Sequence, residues 1–153
     1  MSAHIVSSYT RKSPDLQRGL VVIELAIVTP LVLLIMLATA EFGRAFYQYT
    51  TLSKAVEAGA RYYASTVLDP AVTDAVAIPT VENIIVYASP QSGGTSVLPN
   101  FSTSDVTEIS FGSVADHVRV SAQYNFVPIV GNMPIFGAMA NFTMTATHTM
   151  RAL

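Results

Sequence analysis

The chain has 153 residues, 51% hydrophobic and only 12% charged, about half the charge of an ordinary soluble domain; this argues against disorder and against a typical cytosolic protein. A net charge of −2 with eight scattered Lys and Arg offers no basic stripe for nucleic acid. With no cysteine there is no disulfide framework, no thiolate metal site and no cysteine nucleophile.

The charge is also unevenly placed. Residues 1–19 carry Arg11, Lys12 and Arg18 against Asp15 alone, whereas five bases face nine acids in the rest of the chain. The stretch 20–40 that follows holds a single acid, Glu24, and no base. About 20 apolar residues match the ~30 Å hydrocarbon core of a bilayer, and a basic flank is retained on the cytoplasmic side, so a transmembrane helix over 20–41 is expected, with the remainder outside. The run is longer than the ~7 to 15 apolar residues of a secretory signal, and Ala38-Thr39-Ala40 passes into Glu41-Phe42-Gly43-Arg44 without a cleavage site. Phe42, Phe46, Tyr49, Leu52, Val56, Ala60 and Tyr63 continue a helical spacing, which predicts one helix from about 20 to 66 with a protruding part over 42–68. At ~1.5 Å per residue such a helix reaches roughly 70 Å. Pro30 is expected to kink or loosen it, and Asp69-Pro70 to end it.

Residues 69–153 are expected to form a small head. A short helix is predicted over 80–88, with Val81, Ile84, Ile85 and Ala88 on one face; a strand over 84–87 competes. Strands are expected over 106–111, over 118–126 with Val118, Val120, Ala122, Tyr124 and Phe126 inward, and over 142–151, where Phe142, Met144, Ala146, His148 and Met150 alternate with four threonines. Three short strands cannot enclose a core alone, so their apolar face needs the helix around Leu52, Val56, Ala60 and Tyr63. The Pro- and Gly-rich segment 127–140 reads as an apolar loop, with Ile129 and Phe136 the candidate partner surface.

Chemistry is thin. Glu24 stands out, because a carboxylate at mid-depth in a bilayer costs about 2.5 to 3.5 kcal/mol, so a partner or hydration at the headgroup level must compensate it. Glu41 with Arg44 and Glu57 with Arg61 have the spacing of helix-surface pairs contributing about 0.2 to 0.5 kcal/mol each. Gly43 and Gly59 lie among alanines on faces that permit close helix contact. Asp116 and His117, as neighbours in a strand, point to opposite faces, and His148 reads as a structural histidine. No catalytic set and no metal or cofactor site is expected.

Arg18-Gly19 followed by Leu20-Val21-Val22-Ile23-Glu24 resembles the processing site of type IV pilin-like precursors. Together with Glu41-Phe42-Gly43-Arg44, Glu57-Ala58-Gly59-Ala60-Arg61-Tyr62 and the closing strand ending Met150-Arg151, it resembles the TadE-like pseudopilins of the tight-adherence (Tad/Flp) pilus system. The resemblance is specific over about 18–64 and weaker over 117–151; Leu25 stands where processed members often carry an aromatic. It implies an α+β, pilin-like fold, a long N-terminal transmembrane and protruding helix on a small antiparallel sheet. By the same resemblance Gly19 and Leu20 are the processing junction, cut by a prepilin peptidase to remove leader 1–19, and Glu24 serves assembly. A minor pseudopilin of the bacterial inner membrane with a periplasmic head would follow, having as partners other pilins, pseudopilins and pilus assembly proteins. A freed amine at Leu20, with an ordinary pKa near ~7.7 to 8.0, would pair with Glu24 of its own or a neighbouring chain. The rivals are an unprocessed, membrane-anchored scaffold or binding protein, and a tethered hydrolase using His117 or His148.

Overall fold

The computed structural model describes residues 14–112, 116–129 and 141–152. A single helix, α1 (Pro14–Thr66), occupies the N-terminal part, and the chain divides between Ala40 and Glu41 into two units. In the first unit the apolar side chains of α1 turn outward on every side, and the window apolar enough to cross a membrane has none of its residues buried. A water-soluble core helix hides such a surface; a helix with an apolar circumference suits lipid, where every backbone group must be satisfied internally. The helix is continuous through Pro30. Beside it the Thr29 hydroxyl donates to the Leu25 carbonyl at 2.6 Å, a backbone bond of the kind that helps accommodate proline in apolar helices.

In the second unit α1 becomes one-sided. Leu52, Val56, Ala60 and Tyr63 are buried as their spacing predicts. The helix ends at Thr66 with Val67 N–H on the Tyr63 carbonyl, and Asp69 Oδ1 accepts the Ala71 N–H at 2.9 Å in a turn around Pro70. α2 (Asp74–Tyr87) begins six residues earlier than the expected 80, and the competing strand over 84–87 is absent: those residues are helical. The Thr73 carbonyl accepts the first amides, and Ala88 closes the helix in the left-handed conformation, φ 52°. Pro79 lies inside α2. Its ring removes the helical bond to the carbonyl four residues back, at Ala75, which is an exposed residue.

Gly59 sets the distance between α1 and α2. A Cβ there would stand 2.5 Å from Ile85 Cγ1 and 3.3 Å from Val81 Cγ1, whereas one at Gly43 would meet nothing within 4 Å. Replacing a helical glycine by alanine gains about 1 kcal/mol in propensity, and overpacking a core costs about 1 to 3 kcal/mol. Gly59→Ala should therefore lower the thermal unfolding midpoint of the head and Gly43→Ala should leave it level or raise it, as followed by circular dichroism of the detergent-solubilised chain; equal shifts would refute the close approach.

The sheet has the order β1-β2-β3, all antiparallel, from β1 (Val106–Phe111), β2 (His117–Phe126) and β3 (Phe142–Arg151). Register runs unbroken from His117↔Arg151 to Phe126↔Phe142, and shifts once between Val106 and Glu108. Val118, Val120, Ala122, Tyr124 and Phe126 all face inward and form one core with α1 and with Val81 and Ile85 of α2. Met144 and Ala146 complete it from β3, while Thr143, Thr145, Thr147 and Thr149 face solvent. Leu98 and Phe101 join from irregular chain, Phe101 standing edge-on to Tyr124 with ring centroids 6.0 Å apart.

Candidate functional site

Gly19, Leu20 and Glu24 lie on the exposed surface of α1 in the first unit, within the first turns of its apolar stretch. No base is paired with Glu24 among the described residues. A Cβ at Gly19, which lies inside α1, would meet nothing within 4 Å. Of the candidate partner surface, Ile129 is 77% exposed, and Phe136 lies outside the described residues.

Glu41 and Arg44 do more than mark a helix surface, as their spacing alone suggested. Arg44 Nη2 bonds Glu41 Oε2 at 2.9 Å and donates to the Val127 carbonyl at 2.6 Å, and its guanidinium lies 4.6 Å over the Phe126 ring. Glu41 Oε1 accepts the Ile129 N–H at 3.2 Å. Two charges on α1 thus hold the chain leaving β2 by backbone groups, a charge-assisted arrangement stronger than an exposed ion pair. Glu57 and Arg61 do form an exposed pair of the ordinary kind.

Other polar groups are structural. Burial first, and then the Asp74 carboxylate, push the Tyr63 hydroxyl above its ordinary value; its O–H points to Asp74 Oδ1 at 3.4 Å. Burial likewise raises Tyr124, Arg44 opposing and Asp105 adding to the shift, and its hydroxyl donates to the Pro99 carbonyl at 3.1 Å. Gln48 is only 6% exposed, with no donor to its Oε1 among the described residues. His117 and His148 stand on opposite faces of the sheet, since His117 pairs with Arg151 while His148 pairs with the inward Val120. No cluster of three metal-ligating side chains occurs among the described residues. An open, mainly apolar groove of about 320 Å³ lies between α1 at Lys54 and Ala58 and α2 at Ile84, with Thr51 and Lys54 the polar residues in its lining.

An exposed apolar helix whose continuation packs on a small antiparallel sheet defines a membrane-anchored α+β protein of pilin-like fold. Residues 19–61 match the family model described as TadE-like protein, so the chain carries a TadE-like segment, coincident with the helix that bears Gly19, Glu24, Glu41, Arg44 and Gly59. That segment is similar to TadE-like proteins, and it overlaps a helix long and apolar enough to cross a membrane. No curated protein and no solved structure matches the chain.

Proposed function

We propose that the protein is a minor pseudopilin that helps assemble or initiate a tight-adherence pilus and acts as a structural subunit, not an enzyme. The observation that carries this reading is the TadE-like segment opening on Gly19-Leu20 and placing Glu24 five residues after the junction on an exposed apolar helix. A prepilin peptidase working at the cytoplasmic face of the inner membrane removes the basic leader after Gly19. The new amine at Leu20, largely protonated at neutral pH, pairs with Glu24 and fixes the register between neighbouring subunits. The head stays on the far side of the membrane, where it meets other pilins, pseudopilins and assembly proteins.

Intact mass and N-terminal sequencing of the membrane-bound protein test the reading. A chain beginning at Leu20 is the expected result in cells that possess the peptidase. Gly19→Leu should leave the full-length form, because a branched side chain blocks the close backbone approach that glycine permits. A native N-terminus at Met1 or Ser2 in such cells would mean an unprocessed anchor instead.

A further inference from the structure

We propose that the first turns of α1 in the second unit, together with the exit of β2, sit in the headgroup layer on the head's side of the bilayer, so that the exposed apolar surface at Ile129 contacts lipid. This rests on the reading of residues 20–40 as the membrane span. Phe42, Phe46, Tyr47 and Tyr49 are all exposed, Phe46 and Tyr47 by 71% and 70%. At ~100° per residue they fall near 100°, 140°, 240° and 80° around the helix from Glu41. The buried Ala45, Gln48 and Leu52 occupy the remaining arc, within about 40° of Glu41. The rings spread over roughly 160° of the side turned away from the head, wider than the ~100° stripe typical of one packed helix face, which suits a broad lipid surrounding.

Their order along the chain has the same sense. Phe42 and Phe46 lie about 3 and 9 Å of helical rise past Ala40, comparable to the ~5 to 8 Å that each headgroup region adds to the hydrocarbon core. The rings bearing a hydroxyl, Tyr47 and Tyr49, come last, as expected where one end of a side chain is apolar and the other wet. Charge is arranged to match. Between Arg44 and Lys54 no residue is charged, and Glu41 and Arg44 are bonded to each other and to backbone groups.

Those bonds bring the β2 exit to the same level. Arg44 holds the Val127 carbonyl and Glu41 the Ile129 amide, so Val127, 54% exposed, and Ile129 stand beside the first turn after Ala40. Phe142, also exposed, stacks on Phe126 beneath the Arg44 guanidinium, with ring centroids 5.0 Å apart. The aromatic belt therefore extends from the helix onto the end of the sheet.

The chain has no cysteine, so single cysteines carry nitroxide labels without background. The full chain is reconstituted in vesicles of phosphatidylethanolamine and phosphatidylglycerol, and accessibility to oxygen and to a water-soluble nickel chelate is measured by power saturation. Phe46→Cys and Ile129→Cys report the belt, Leu33→Cys the span and Ser65→Cys the water-exposed end of α1. The expected oxygen-to-nickel ratio at 46 and 129 is several-fold above that at 65 and below that at 33. Water-like ratios at 46 and 129 with a hydrocarbon-like ratio at 33 would overturn the proposal while leaving the span intact. Shielding of 46 and 129 from both reagents would mean a protein partner and also overturn it. A water-like ratio at 33 would remove the span and the proposal with it.

Discussion

Phe126→Ala is expected to destabilise the head by about 3 to 5 kcal/mol, the usual cost of removing a large buried aromatic. The ring is 2% exposed, sits at the end of the central strand, stacks on Phe142 and carries the Arg44 guanidinium on its face. Truncation leaves a cavity and also removes the platform on which Arg44 lies while it bonds the Val127 carbonyl. A loss of this size is a large share of the ~5 to 15 kcal/mol that holds a domain folded. The variant should therefore unfold at a much lower temperature in detergent and be depleted by proteolysis in cells. Thr145→Ser, on the outer face of β3, should stay within about 0.5 kcal/mol. A Phe126→Ala protein with a melting midpoint close to that of Thr145→Ser would show that the ring is not part of the core.

β2 and β3 were legible because inward residues alternate with outward ones along most of their length, so period-two alternation was written into them; β1 holds no buried residue and shows no such alternation. The alternation is why the bounds of β3 agree with the expected ones, and why the inward set from Val118 to Phe126 is the observed one. The helix over Leu52, Val56, Ala60 and Tyr63 was legible for the corresponding reason at period 3.6. The start of α2 was not legible, since Pro79 reads locally as a breaker although it lies inside the helix, at an exposed position. Leu98 and Phe101 are single apolar residues in irregular chain, which carry no periodicity to read.

The bonds of Glu41 and Arg44 to residues 127 and 129 span more than eighty residues of sequence, and local spacing shows only the i, i+3 pair. The one available signal was their isolation: they are the only charges between Glu24 and Lys54. Gly59 was recognised as a small residue on a helix face, but its reason, the stiff branched side chain of Ile85, lies on an element whose packing the sequence does not specify.

Glu24→Leu should separate membrane insertion from assembly completely. The carboxylate sits on an apolar, exposed helix with no paired base among the described residues, so the isolated subunit carries a cost of about 2.5 to 3.5 kcal/mol at mid-depth and less near the interface. Leucine removes that cost, and the amount of protein in the membrane fraction should be unchanged or higher. On the proposed processing, leucine cannot meet the amine freed at Leu20, which would then have no counter-charge in a packed helical bundle, where an unpaired buried charge costs about 3 to 5 kcal/mol. Piliation of a deletion strain and crosslinking to other pilus subunits should both be lost. Glu24→Gln refines the cause: it keeps the side-chain shape and a hydrogen-bonding carbonyl but no charge, so it should fall nearer to leucine than to glutamate if pairing with the amine is what matters. Full piliation with the leucine variant would mean that Glu24 plays no part between subunits and is simply a hydrated residue at the headgroup level.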